Sequence, residues 1–199
     1  MTTPDVRTRR VEAVVIGTSA GGVQALSEIL PALRPDCGAS IFVVLHLPRE
    51  RPSRLAEIFA PKCAVPVREA LDKDPVEPGV VYFAPPDYHL LVDAGPQLVL
   101  SVDDLVHYSR PSVDVLFESA ADVYGDRLMA VVLTGANEDG TSGLAAVCET
   151  GGWAVVQDPA TAQAPTMVLS ALRRCPDATV LGLSAIAELF GQLNARYAV

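Results

Sequence analysis

The residues of this sequence best placed to do chemistry are Ser19, His46 and Asp139. Ser19 is the centre of Gly17-Thr18-Ser19-Ala20-Gly21, a G-x-S-x-G run that follows the apolar stretch Val14-Val15-Ile16. With a strand before it and a helix after it, such a run lifts a serine hydroxyl from a tight turn at the end of a sheet. Small residues there equally suit a plain turn or a phosphate loop, so these five residues alone leave Ser19 three roles: turn former, phosphate ligand or nucleophile. A nucleophile needs a base. His46 directly follows the apolar run 41–45, at a strand's carboxyl end, whereas His89 falls in a hairpin and His107 in the loop before Ser109-Arg110-Pro111. The third element is "AVVLTGANEDG", in which a buried run ends and Asp139 precedes a helix. An acid there either caps that helix or orients a histidine.

These residues need elements to hold them. Near-continuous apolar runs rich in Val and Ile predict strands over 12–17, 41–46, 65–69, 80–84, 127–134, 153–157 and 179–182. Such runs mark strands covered on both faces. Amphipathic segments between many of them predict helices over 21–33, 53–62, 112–124, 141–150, 166–174 and 184–195. The alternation specifies an α/β class: a doubly wound, mainly parallel sheet of about seven strands with helices on both faces. "YHLLVDAGPQLVLS", with two extended runs around Ala94-Gly95-Pro96, reads as an appended β-hairpin. Residues 1–10 form a polar arm, and 11–199 one domain.

Parallel strands end together, so Ser19, His46 and Asp139 share the sheet edge where sites form in open α/β folds. Ser19 then attacks an acyl carbon, His46 takes and returns its proton, and Asp139 fixes the imidazole tautomer and stabilises the imidazolium. Backbone N–H groups near Ala20–Gly22 and in the 134–137 turn would hold the oxyanion. A dinucleotide-binding domain instead requires an acid about 20 residues past the glycine loop, at the end of the second strand. That place holds His46 and Leu47, and no G-K-[ST] follows the loop. The order Ser…His…Asp also differs from the Ser…Asp…His of α/β-hydrolases.

Composition narrows the partners. Half of the 199 residues are hydrophobic and the net charge is −9. This argues for a folded protein and against nucleic acid or an anionic membrane as main partner, and the polar start MTTPDVRTRR, without a signal stretch, predicts a cytoplasmic one. No apolar run is long enough to cross a bilayer, so no membrane insertion is expected. Cys37, Cys63, Cys148 and Cys175 form no C-x-x-C pair, which points to free thiols and to no metal site. No cofactor is called for.

The sequence resembles the chemotaxis protein-glutamate methylesterases over about residues 11–195. The resemblance is carried by "IGTSAGG", "VLHLP", "VYFAPPDYHLLV", "RPSVDVLF", "VLTGANEDGTSG" and "WAVVQDPATA". It implies a doubly wound domain with a β-hairpin that hydrolyses γ-glutamyl methyl esters on chemoreceptor helices, releases methanol, and in some members deamidates receptor glutamines. The family's triad falls on Ser19, His46 and Asp139, and its methionine oxyanion donor on Ala136. The family's Thr-Gly-Met-Gly-Asn-Asp-Gly turn reads Thr134-Gly135-Ala136-Asn137-Glu138-Asp139-Gly140, with Asn137 at a glycine position. Its Gly-Met-Pro reads Thr166-Met167-Val168, which bears on substrate fit. Thr18, Arg110 and Met167 are the expected substrate contacts, Arg110 toward an acidic receptor helix. Ser112 and Asp114 fit a structural role as cap and first-turn acid. Most relatives carry an amino-terminal receiver domain over the site, whereas only about ten residues precede the first strand here. Control by a separate response regulator, or constitutive activity, is therefore expected. The rival function is a non-catalytic signalling scaffold that keeps the fold.

Overall fold

The structure, a computed structural model, describes residues 9–48 and 52–194. Its elements run β1 (Ala13–Thr18), α1 (Gly22–Ile29), β2 (Ser40–Leu45), α2 (Leu55–Phe59), β3 (Val67–Glu69), β4 (Val81–Phe83), β5 (His89–Asp93), β6 (Gln97–Ser101), α3 (Val113–Tyr124), β7 (Leu128–Val132), α4 (Thr141–Glu149), β8 (Trp153–Gln157), α5 (Thr166–Arg174), β9 (Thr179–Leu181) and α6 (Leu183–Phe190). Seven strands form one sheet in the order β3-β4-β2-β1-β7-β8-β9, every pairing parallel, and β5 and β6 form a separate antiparallel hairpin. From β1 the chain lays down β2, then the edge strand β3, fills the place between them with β4, and returns to lay β7 on the other side of β1. The reversal puts the topological switch point between β1 and β7, where the crossovers leave in opposite directions and open a crevice.

Alternation along the strands divides the core in two. Val15 of β1, Val44 of β2 and Val132 of β7 point to the side covered by α3, α4, α5 and the hairpin. Ile16, Val43 and Val131 point to the side covered by α1, α2 and α6. All residues of β1, β2, β7 and β8 are buried, which is why they read as continuous apolar runs instead of alternating ones.

The expected elements are all present, with shorter ends. The helix expected to reach 195 stops at Phe190; Gly191 follows it, and Asn194 leaves the helical path to bridge Cys37. The arm expected over 1–10 lies mostly outside the described residues. Of the part described, Arg10 pairs with Glu12 at 2.6 Å and Arg9 stands 5.4 Å over the Trp153 ring. Among the described residues no helix is long and apolar enough to cross a membrane.

Candidate active site

The parallel register of β1 and β2 ends at Thr18↔Leu45, and the next pair along is Ser19 and His46. The His46 N–H donates to Thr18 O at 3.2 Å, and the Ser19 N–H donates to Thr134 O at 3.0 Å, just past β7. Ser19, His46 and Thr134 thus sit side by side at three strand ends. Side chains alternate along a strand, so His46 continues the face of Val44 and Ser19 the face of Val15 and Gly17, both toward α3.

Asp139 meets His46 there. His46 Nε2 lies 2.8 Å from Asp139 Oδ2. The carboxylate is wholly buried yet fully partnered: Val113 N–H donates to Oδ2 at 2.7 Å, Asp114 N–H to Oδ1 at 3.0 Å and the Ser112 hydroxyl to Oδ1 at 2.8 Å. Two of these donors are otherwise unpaired N–H groups of the first turn of α3, at the positive end of the helix dipole. Burial by itself raises the pKa of this carboxyl. The hydrogen bond with His46 and those from the Val113 and Asp114 N–H groups outweigh it and hold the group below its ordinary value. Asp139 is therefore a carboxylate. It is not the N-cap of α4, which is Gly140 in a left-handed conformation with φ 97°.

Two glycines let α3 come this close. A Cβ on Gly17 would fall 2.2 Å from Val113 Cγ1, and one on Gly140 would fall 2.7 Å from the same atom. Val113 is thus gripped between the G-x-S-x-G turn and the turn that carries Asp139. Gly21, the last residue of the motif, caps α1 with φ 82°. The N–H groups of Ala20, Gly21 and Ala136 make no hydrogen bond among the described residues, and both alanines are exposed at the crevice edge. The Ser19 hydroxyl is likewise unbonded among them.

A family model described as "CheB methylesterase" matches residues 14–190. The chain belongs to the CheB methylesterase family. It is 45% identical over 183 residues to a "putative protein-glutamate methylesterase/protein-glutamine glutaminase" of Leptospira interrogans, covering 92% of this chain and 95% of that protein. To a "protein-glutamate methylesterase/protein-glutamine glutaminase" of Symbiobacterium thermophilum it is 43% identical over 148 residues, spanning 74% of this chain but only 41% of that longer protein. The crystal structure of the Thermotoga maritima CheB methylesterase catalytic domain superposes with a TM-score of 0.88 at 35% identity, covering 92% of this chain and 98% of that one.

Within this CheB methylesterase fold, Thr18 and Met167 are buried, and Arg110 lines a small cavity with His46 while its donors are engaged by the protein. Thr18 is buried and its hydroxyl donates to Thr134 O at 2.8 Å, so it pins β1 to the end of β7 instead of facing the crevice. Met167 is buried in the core and packs under Gly135, where an added Cβ would sit 2.6 Å from its sulfur. Arg110 is turned into the protein: Nε and Nη2 donate to Asp87 Oδ1 at 3.1 and 2.8 Å, and Nη1 to the carbonyls of Val102 and Asp103 at 2.7 and 2.9 Å. A guanidinium with its donors spent on a carboxylate and two carbonyls is a structural pin.

Other residues matter more than sequence reasoning allowed. Ser112 does cap α3, accepting from Val115 N–H at 3.5 Å, but its proton goes to Asp139. His89 accepts from the Ser112 N–H at Nδ1 and faces Asp104 O with Nε2, at 3.1 and 3.0 Å, and so fixes the cap from behind. Thr134 ties three loops: its N–H donates to Gln157 Oε1, its hydroxyl to Ala20 O, and it accepts from the Ala164 N–H, all at 2.8 to 2.9 Å. Asn137, at the family's glycine position, is not among the residues with positive φ, so the turn accepts it without strain. Its Nδ2 stands 3.5 Å from His46 Nδ1 and 3.4 Å from Ser109 Oγ. Glu138 is exposed and faces His107 at 3.9 Å instead of His46.

Proposed function

We propose that Ser19, His46 and Asp139 are the catalytic residues of a serine esterase that hydrolyses γ-methyl esters of glutamate on methyl-accepting chemoreceptors, releasing methanol. The supporting observation is the His46–Asp139 contact at 2.8 Å, made beside Ser19 by a buried carboxylate that α3 keeps ionised. With the Nε2 proton committed to Asp139, the imidazole lone pair lies on Nδ1, the nitrogen that receives the Ser19 proton. Asp139 then stabilises the imidazolium through the same short contact. The acyl carbon is attacked by Ser19 Oγ, and the developing oxyanion is met by the N–H groups of Ala20, Gly21 and Ala136. The positive end of α1 adds to them. His46 returns the proton to the methoxide oxygen, methanol leaves, and water repeats the cycle on the acyl-enzyme. The same steps on a glutamine release ammonia, consistent with the glutaminase activity in the names of the relatives.

Base and nucleophile are not hydrogen-bonded before substrate arrives, as is common in free hydrolases whose contacts tighten in the Michaelis complex. The deciding test is methanol release from a methylated receptor fragment by the wild-type chain and by Ser19→Ala. Release by the wild type alone supports the reading. Equal release by both removes Ser19 from the mechanism, and release by neither favours the scaffold.

A further inference from the structure

The open nitrogen of the His46 imidazole has a neighbour that the fold does not need. Asn137 follows Ala136 in the turn after β7, and its carboxamide comes back toward the ring: Nδ2 stands 3.5 Å from His46 Nδ1 and 3.4 Å from Ser109 Oγ. Both distances exceed the roughly 2.7–3.2 Å of a well-made bond. Its Oδ1 is buried and has no hydrogen-bond partner among the described residues. A buried acceptor without a partner costs about 1–3 kcal/mol, so this carboxamide secures little of the fold. Such a group in a native structure calls for a reason outside folding. Its position supplies one. Nε2 of His46 is taken by Asp139, so a proton that His46 accepts from Ser19 leaves again through Nδ1. The atom that receives it comes within about 2.6–3.2 Å of that nitrogen. Asn137 Nδ2 already stands at the same side of the ring. Beside it, His46, Ser109 and Pro111 line a cavity of about 70 Å³, which suits a molecule of the size of water, ammonia or methanol.

We propose that Asn137 is the leaving-group residue of this site, its carboxamide serving methyl esters through Nδ2 and primary amides through Oδ1. The proposal rests on the esterase reading of Ser19, His46 and Asp139. In the tetrahedral adduct of an ester, the C–O bond breaks with its electron pair going to the methoxy oxygen. That oxygen takes the Nδ1 proton of His46 while Asn137 Nδ2–H donates to another of its lone pairs, and methanol departs. In the adduct of a glutamine, the leaving nitrogen takes the Nδ1 proton on its lone pair and departs as ammonia with the C–N electron pair. Its own N–H groups then need an acceptor. The terminal torsion of an asparagine is broad and close to two-fold, and no short bond holds this one, so the carboxamide turns over and presents Oδ1. The acceptor that lacks a partner among the described residues gains one there. Alanine at 137 would meet neither leaving group, and aspartate only the nitrogen.

The test compares the full chain with Asn137→Ala and Asn137→Asp on one receptor helical-bundle fragment prepared in two forms. One carries γ-methyl glutamate and the other glutamine at the same position, and methanol and ammonia release are each read as kcat/KM. This quantity reports acylation, the step in which the leaving group departs, since both substrates give the same acyl-enzyme. Asn137→Ala is expected to lower both values at least about tenfold, the scale of one hydrogen bond to a charged group. Its melting temperature should equal or exceed the parent's. Asn137→Asp keeps an acceptor and loses the donor, so its ester-to-amide ratio should fall at least about tenfold. An effect that passes through His46 acts on both substrates and cancels in that ratio. A ratio within twofold of the parent's, or an Asn137→Ala chain with parental kcat/KM for both substrates, overturns the proposal. So does a parent that releases methanol but no ammonia. Ser19→Ala is run beside them. Release lost in Ser19→Ala with an unchanged ratio in Asn137→Asp leaves the esterase reading standing and removes Asn137 from it. Release that survives in Ser19→Ala, or none by the parent, overturns the esterase reading and the proposal with it.

Discussion

Gly17→Ala tests whether the site depends on how closely α3 approaches the serine turn. The added methyl carbon would stand 2.2 Å from Val113 Cγ1, 2.9 Å from Cγ2 and 3.1 Å from Cβ. Carbon atoms attract best at about 3.5–4.0 Å, so the closest contact is more than ~1 Å too short. Rotating Val113 gives no relief, because all three of its branch atoms are near and a helical valine has essentially one χ1 rotamer. The first turn of α3 must retreat. Overpacking of this kind costs about 1–3 kcal/mol. The same turn carries the Val113 and Asp114 N–H groups and the Ser112 hydroxyl that seat Asp139. A displacement of about 1 Å at reacting groups costs on the order of 10²-fold in rate. The expectation is therefore a joint loss, about 2 kcal/mol in stability by urea denaturation and about 100-fold in methanol release.

Val113→Ala alone leaves a small cavity, also about 1–3 kcal/mol. In Gly17→Ala/Val113→Ala the new methyl occupies space the valine vacates, so the double variant should be more stable than the sum of the singles by at least about 1 kcal/mol. Additive losses, or a Gly17→Ala protein with wild-type rate, would refute this account of the glycine.

Further predictions follow from the carboxylates and the pins. Asp139→Asn places an NH₂ against either the Val113 or the Asp114 N–H, so beyond a rate loss on the order of 10⁴-fold, as in the chymotrypsin-type precedent, the melting transition should show a cost of about 1–3 kcal/mol for the unpaired donors. Wild-type stability should fall on acidification below about pH 4: Asp139 has its folded pKa lowered, so its contribution is present above the unfolded value and is lost as pH drops through the folded one. Asp114 has the opposite sign. Burial pushes its carboxyl up to about 6, against the Gly143 N–H bond that opposes the shift, so it weakens the fold as pH rises from about 4 to 6. Asp114→Asn keeps an acceptor for Gly143 and should remove that decline, leaving the variant more stable than wild type at pH 8 but not at pH 4 in urea titrations. Arg110→Ala returns Asp87 and two exposed carbonyls to water, so it should cost no more than about 1 kcal/mol yet speed amide hydrogen exchange over 102–109; a purely substrate-binding arginine would leave exchange unchanged.

The architecture was legible because it is written locally. Apolar runs such as 41–45 and 153–157 are strands in the all-buried middle of the sheet, and Ala94-Gly95-Pro96 marks the hairpin turn at β5–β6. Strand-end placement then put Ser19, His46 and Asp139 on one edge. The surroundings of Thr18, Arg110 and Met167, the expected substrate contacts, were not legible for a shared reason: each side chain has partners far away in sequence. Nothing near Arg110 announces Asp87 or the carbonyl of Val102. Thr18 looks available within its motif, yet Thr134 O claims its hydroxyl. Met167 stands at the start of α5, a place that suggests a loop contact, but its chain turns under Gly135.

The motif "RPSVD" shows how a local reading was correct and incomplete at once. Ser112 and Asp114 do have the positions of a cap and a first-turn acid, and a cap is all that a helix start requires. But a helix start is also a cluster of unpaired donors, and in this fold the cluster faces inward. Asp139 takes two of its N–H groups and the cap's own hydroxyl. An ionised carboxylate could not otherwise sit wholly buried behind His46, since uncompensated burial of a charge would protonate it. Gly17 and Gly140 bring the helix within reach, His89 braces the cap, and His46 completes the shell. What the sequence presents as separate glycine, capping and acidic motifs is therefore one device for keeping a charge beneath an imidazole.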